Sequence, residues 1–478
     1  MKYNLLIFLS LLFLTGVEAQ NNANTQNTNY KINLNIPSQK GNKIYLGQYW
    51  KGSSIGIDST LLSEQGKGQF SISKKLPGGQ YFLFAKPGFQ VDLLIGDNQK
   101  NDIYITVDEA DPSKNTISGS RDSELLWKYL MDLDKIRLKK FNIEDALTDS
   151  TLSAKKKTEL ENQINDLNKQ EELVMNEQIK KYEKEWFGIF LKGSTPITLP
   201  FPKPNSAEEY IENKNYGKIH FFDNLALNDS RIWNTNYVYS FIDSYMKQWI
   251  DQVPDSLAKA AVNLVEKTKD NEFAFKEMLS YLTNTSLKSN VMGDESIWAA
   301  LFETYILDKD ISWIDSTQTV QLRNMYEYLK NNRIGMKAHN LMLETIDGKT
   351  INTDEIDAKL LLLYFYDPNC SHCKVEIPKL HDKLYAKYKD KGFEVVAINI
   401  ALNENNRPEW EKFVKDNNLS DWLNTVDPNY KSQYWMYFDT SGVPSAYILN
   451  KDKQILARKI NEENIETVLK YYFENGTN

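Results

Sequence analysis

From Tyr30 to about Ser120, apolar and polar positions alternate in steps of two. Ile32, Leu34 and Ile36 interleave with Lys31, Asn33 and Asn35, a pattern that buries one face of a strand and wets the other. Further strands are predicted at Lys43–Tyr49, Gln69–Ser73, Gln80–Ala85, Val91–Ile95 and Ile103–Val107. Turn signals such as Gly66-Lys67-Gly68, Pro77-Gly78-Gly79 and Pro87-Gly88 separate most of them. Residues 30–121 therefore read as a β-sandwich-like domain. It holds no His, no Cys and no catalytic cluster, so it reads as a structural or docking module.

After Asp122 the period lengthens. Leu125, Leu126, Tyr129 and Leu130 open an amphipathic helix. The charged segment from Ser153 to Phe190 carries Leu160, Ile164, Leu167, Val174, Ile179, Tyr182 and Trp186 along one stripe. Such a stripe suits a coiled-coil seam or one arm of an intramolecular helical hairpin, and the irregular step after Leu167 favours the hairpin. Pro196, Pro200, Pro202 and Pro204 impose an extended loop. Beyond Asn224 the row Trp233, Tyr237, Phe241, Tyr245 and Trp249 reads as core. His220 has no ligand partner at metal spacing and reads as structural. Residues 122–331 are predicted to form an α-helical domain.

In residues 332–478 strands and helices alternate. Leu361–Tyr366 is a buried strand, and a helix follows to Lys391 with the stripe Ile377, Leu380, Leu384 and Tyr388, ended by Gly392. Phe393–Ile400 is a second buried strand, and Pro408 opens another helix. Ser445–Leu449 and Gln454–Lys459 read as a hairpin, closed by a helix over Ile465–Phe473.

Chemistry enters at one point. The only two cysteines stand three apart, Cys370-Ser371-His372-Cys373, where the first strand hands over to its helix. A helix N-terminus favours a thiolate on the first sulfur. Cys370 is thus the expected nucleophile toward a substrate disulfide, and Cys373, one turn later, the thiol that resolves the mixed disulfide. His372, when protonated, would stabilise the Cys370 thiolate, whereas Glu376 would oppose nearby negative charge.

Residues 1–19 set the compartment. Lys2, the apolar run Leu5–Leu14 and Val17-Glu18-Ala19 have the layout of a secretory signal peptide cut after Ala19, and residues 20–29 read as a disordered linker. No later stretch is long and apolar enough to span a bilayer, so no transmembrane segment is expected after cleavage. An exported chain with one cysteine pair fits a redox site better than a disulfide framework. A net charge of −8 argues against nucleic acid as a partner.

With strand–Cys370-Ser-His-Cys373–helix, Glu376-Ile377-Pro378 inside that helix and Gly442-Val443-Pro444 before a late strand, the C-terminal region resembles the TlpA/ResA-like thioredoxin family. Ile334-Gly335-Met336-Lys337-Ala338, Leu341-Met342-Leu343 and Asp347-Gly348-Lys349 are similar to that family's entry strand and hairpin. More weakly, the two earlier regions resemble the β-rich and helical envelope domains joined ahead of such thioredoxins. The resemblance implies a Cys370–Cys373 redox disulfide, Glu376 as the acid that relays a proton for Cys373, and Pro444 as the cis-proline facing the cysteines. Val443 would then offer its backbone to an incoming peptide. Asn369 departs from the tryptophan that many thioredoxins carry, and Tyr364, Tyr366 and Trp435 are alternative sources of aromatic surface.

The chain is therefore expected to be multidomain α+β: an N-terminal β-sandwich, a central helical domain and a C-terminal thioredoxin-like α/β domain. Its expected activity is that of an exported thiol-disulfide oxidoreductase in the periplasm or cell envelope, a reductase by family usage, needing no cofactor and no metal. Its partners would be substrate protein thiols or disulfides and a redox partner protein. A disulfide isomerase or oxidase, and a non-catalytic envelope adaptor, stand as alternatives. A metal carrier using the cysteines with His372, His339 or His381 fits tetrahedral geometry poorly.

Overall fold

The computed structural model describes residues 30–289, 291–401 and 406–475; the segments read as a signal peptide and linker lie outside them. The chain forms two compact units, one within Met1–Asp251 and Asn263–Tyr281, the other within Gln252–Val262 and Leu282–Asn478.

In the first unit, strands that bury one face, as Tyr30–Asn35 does, build a sandwich. The strands are β1 (Tyr30–Asn35), β2 (Lys43–Trp50), β3 (Ser53–Leu61), β4 (Lys67–Ile72), β5 (Gly79–Ala85), β6 (Phe89–Ile95), β7 (Asp102–Thr106) and β8 (Thr116–Ser118). They form two four-stranded sheets, ordered β4-β1-β7-β8 and β3-β2-β5-β6. Ile32, Leu34, Leu46, Leu83 and Ile105 meet in the core between them. Helix Arg121–Leu147 is pinned to this sandwich at its start. Trp127 enters the core, its indole N–H donates to the Asp92 carbonyl at 2.9 Å, and the Ser123 hydroxyl donates to the Leu94 carbonyl at 2.8 Å.

Helices Arg121–Leu147 and Ala154–Lys181 pack as an intramolecular hairpin. Only Leu160 and Leu167 of the expected stripe on the second helix are buried; Ile164, Val174 and Ile179 are half-buried. The aromatic row is core at Trp233, Tyr237 and Tyr245 and half-buried at Phe241 and Trp249. The proline-rich loop is held by Asn213, whose side chain bonds both the N–H and the carbonyl of Phe201, at 3.0 and 2.6 Å. His220 lies on the surface against Asp223, 2.7 Å away.

The second unit centres on a seven-stranded sheet, ordered β10-β9-β13-β12-β11-β14-β15. Its strands are β9 (Met342–Thr345), β10 (Thr350–Asn352), β11 (Leu360–Tyr366), β12 (Phe393–Asn399), β13 (Leu423–Val426), β14 (Ser445–Asn450) and β15 (Ile455–Arg458). β11 runs parallel to β12 and antiparallel to β14. All seven of its residues are buried, because both faces are covered: Leu360, Leu362, Tyr364 and Tyr366 serve one core, and Leu361, Leu363 and Phe365 the other.

Helix Glu295–Tyr305 belongs to this same unit. Arg458, at the end of β15, pairs with Glu295 at 3.1 Å, with side chains 10% and 14% exposed, and donates a second bond to the Asn332 side chain. A paired ion this deep costs several kcal/mol to leave alone, so Glu295→Ala should lower the unfolding free energy of this unit by about 3 kcal/mol in urea titration. Lys337→Ala, which removes an exposed pair with Asp354, should cost less than about 1 kcal/mol.

Candidate active site

β11 ends at Tyr366, and the chain turns through Asp367, Pro368 and Asn369. The Asp367 carboxylate accepts the Asn369 N–H at 2.7 Å, and its carbonyl accepts the Cys370 N–H at 3.0 Å. Cys370 is then the N-cap of helix Ser371–Lys379, with extended backbone at φ −68° and ψ 128°. This turn places Cys370 half-buried at the C-terminal end of the central strand and Cys373 one turn deeper, fully buried. Both sulfurs are unbridged. The helix expected to run smoothly to Lys391 changes hydrogen-bond register instead. Pro378 cannot donate within it, a π-turn follows over Leu380–Tyr385, and Gly392 at φ +101° closes the last turn.

The two sulfurs have unequal surroundings. Cys370 Sγ donates to the Val443 carbonyl at 3.5 Å, and the Val443-Pro444 peptide is cis. Burial pushes the Cys373 thiol up to about 12; a backbone bond from Asp367 pulls it down and the Cys370 sulfur raises it further. Glu376, half-buried one turn beyond Cys373, accepts the Tyr364 hydroxyl at 3.4 Å. Burial and that carboxylate together hold the Tyr364 phenol well above its ordinary value.

Beside the pair opens a cleft of about 450 Å³. The structure gathers His372, Glu376, Val443 and Pro444 on its walls, and His372 is exposed there. Tyr364 and Tyr366 do not supply aromatic surface, contrary to expectation. They are 1% and 0% exposed, and the Tyr366 hydroxyl accepts the Trp410 indole N–H at 2.8 Å. Tyr430 and Trp435, edge to face at 5.5 Å, are exposed. His339 stacks on Tyr437, and His381 is held by Asp382 and Asp421, each at 2.9 Å. Among the described residues, no group of three His, Cys, Asp or Glu is placed to hold a metal.

Sequence reasoning missed Asp439 and Lys459, which line the same cleft. Asp439 is the anchor of the loop that carries Val443. Its carboxylate accepts the Ser441 hydroxyl at 2.6 Å and the Ser441 N–H at 3.2 Å. Its own N–H donates to the Tyr447 hydroxyl at 2.6 Å, and its carbonyl accepts the Ser445 hydroxyl. Lys459, at the far side of the β14–β15 hairpin, closes an ion pair on it. The Asp439-x-Ser441 spacing is a readable turn signal; the Lys459 partnership has no local signature.

Strand, turn, cysteine helix and proline loop define a thioredoxin-like fold with a dithiol at its working edge. Residues 357–455 match the family described as thioredoxin-like, and residues 30–126 match a domain of unknown function, DUF4369. A thiol-disulfide oxidoreductase ResA of Bacillus cereus is 27% identical over 139 residues, covering 29% of this chain and 76% of that protein. A second ResA, from Halalkalibacterium halodurans, is 36% identical over 90 residues, 18% of this chain and about half (48%) of that protein. A solved domain of a possible thiol-disulfide isomerase from Cytophaga hutchinsonii is similar at 33% identity, covering 30% of this chain and 94% of that one with a TM-score of 0.27. The C-terminal region is thus a thioredoxin-like domain with thiol-disulfide oxidoreductases named ResA among its relatives, and ahead of it the chain carries a DUF4369 domain.

Iodoacetamide at about pH 8 should modify Cys370 in the reduced, folded protein and spare Cys373, of which only about one thiol in ten thousand is ionised there. Peptide mapping by mass spectrometry checks this. Asp439→Ala frees the Val443 carbonyl from its position over Cys370, so Cys370 alkylation should quicken by about two- to fivefold, the worth of one modest hydrogen bond.

Proposed function

We propose that the protein exchanges disulfides with exported protein or peptide substrates and works as a reductase outside the cytoplasm. Unequal burial of the two sulfurs is the observation that carries this reading. Cys370 is half-buried at a helix start, where a substrate disulfide can reach it, while Cys373 waits beneath it. Attack by the Cys370 thiolate breaks the substrate S–S bond and forms a mixed disulfide. Cys373 then gives up its proton and attacks Cys370 Sγ, leaving the substrate dithiol reduced and Cys370–Cys373 oxidised. A second protein must supply the two electrons that reopen this bond.

Family usage supports the reducing direction, and burial holds the Cys373 thiol against ionisation. Because that thiol resists ionisation, it needs a base at the moment of attack. Glu376, lining the cleft one helical turn on, is the group in reach of that task. Val443, half-buried in the bend beside Cys370, would offer its backbone for strand-like pairing with a substrate peptide. Export rests on the signal-peptide pattern of residues 1–19.

Insulin-disulfide reduction driven by dithiothreitol should be lost in Cys370→Ser, and Cys373→Ala should accumulate a mixed disulfide on Cys370. Absence of turnover in the wild-type protein would sink the proposal. The pair's reduction potential should fall near about −270 mV rather than about −120 mV. Glu376→Gln should slow release of the mixed disulfide by about a hundredfold at neutral pH, leaving the first attack unchanged.

A further inference from the structure

The thioredoxin-like match ends at residue 455, but the residues that follow it tie the dithiol to a helix far upstream. Arg458 and Lys459 stand side by side at the end of β15 and serve different partners. Lys459 lines the cleft beside the cysteines and pairs with Asp439. Its backbone is left-handed at φ +53°, uncommon for a residue that carries a side chain. Its N–H is held by the Ala446 carbonyl at 2.9 Å. Arg458 pairs instead with Glu295, the first residue of helix Glu295–Tyr305, at 3.1 Å, and donates to the Asn332 side chain. Trp298, Ala299 and Leu301 have no exposed surface, so that helix is a fixed support.

A bonded route runs from this helix to the first sulfur. Arg458 stands opposite Tyr447 in the β14–β15 register, and its side chain bonds the Tyr447 hydroxyl. The same hydroxyl accepts the Asp439 N–H at 2.6 Å. Asp439 holds Ser441 through its carboxylate and Ser445 through its carbonyl, which brackets Val443 from both sides. The Val443 carbonyl accepts the Cys370 thiol at 3.5 Å. Tyr447, Asp439 and Arg458 are all buried, so water does not loosen these links.

Stability alone does not account for this cluster. A buried ion pair gains little over apolar side chains of similar volume. Asn332 is fully buried, and its amide nitrogen has no partner among the described residues. What the cluster does fix is geometry, because a guanidinium presents its donors in a rigid fork that can meet Glu295, Asn332 and Tyr447 together. We propose that Glu295 and Arg458 are positioning residues for the dithiol: through Tyr447 and Asp439 they hold the Val443 carbonyl against Cys370 Sγ. So held, the first sulfur is less reactive than its place at a helix start would make it. Helix Glu295–Tyr305 is then part of the redox apparatus, although it lies outside the thioredoxin-like match. The inference concerns the reactivity of Cys370 and stands whichever way disulfide exchange runs.

Iodoacetamide labelling of the full, reduced chain at about pH 8, with both cysteines followed by mass spectrometry, tests it. Glu295→Gln keeps the shape of the side chain and removes its charge. It should quicken Cys370 labelling by about twofold or more, the worth of one loosened hydrogen bond, and leave Cys373 spared. Tyr447→Phe removes one hydroxyl and should do the same, which keeps the test decisive should Glu295→Gln fold poorly. On an Asp439→Ala background neither substitution should raise the rate further, because all three act on one loop. Unchanged Cys370 rates in the folded variants overturn the proposal. So does labelling that rises equally at Cys373, the mark of general loosening, or a Glu295→Gln effect that multiplies that of Asp439→Ala.

Discussion

A strand with no solvent-facing side holds the redox unit together. β11 sits in the middle of its sheet, hydrogen-bonded along both edges, with large apolar side chains packed above and below. A segment buried on four sides has almost no freedom to shift register, since a slip of one residue would exchange its two cores. Its C-terminal end is therefore a fixed point, and Cys370 is attached four residues beyond it through a turn tied by Asp367. The depth of Cys373, its high thiol and the closeness of Val443 all follow from where that strand stops.

The loop of Val443 is the other half of the constraint. β14 brings it beside β11 by antiparallel pairing, from Leu360 against Asn450 to Phe365 against Ser445. Pairing alone delivers Ser445; it leaves the preceding residues unfixed. Asp439 settles them by gathering backbone and hydroxyl donors from Ser441 while its own N–H and carbonyl engage Tyr447 and Ser445. The pair is thus positioned from two directions, by a rigid strand beneath and by a bonded loop across.

What could be read from the chain was what is local. The run Leu361–Tyr366, the Cys-Ser-His-Cys turn and the proline before the late strand each carry their signal within a few residues. β13 escaped because Asn424 and Thr425 are buried there as polar residues, bonded to the carbonyls of Leu419 and Ala397, which conceals the apolar pattern. β3 escaped for the opposite reason: its Ser, Gly and Asp residues face water and carry little periodicity. Tyr364 and Tyr366 read as surface because a phenol is amphipathic, yet both rings are buried and each hydroxyl found a partner, Glu376 for one and Trp410 for the other. Contacts spanning long stretches of chain, Asp439 with Lys459 or Arg458 with Glu295, leave no trace in either neighbourhood.

β3 also bears on the protein's behaviour in crowded solution. It is the outermost strand of its sheet, nine residues long, so one row of its backbone groups is unclaimed by the sheet. Such a border invites a neighbouring molecule to add a strand of its own. Asp58 puts a charge on that border and the register shift opposite Leu46 and Gly47 bends it, while Gly56 and the serines share it with the exposed Ile55 and Leu61. The composition that hid this strand from pattern reading also works against a second copy adding a strand to it.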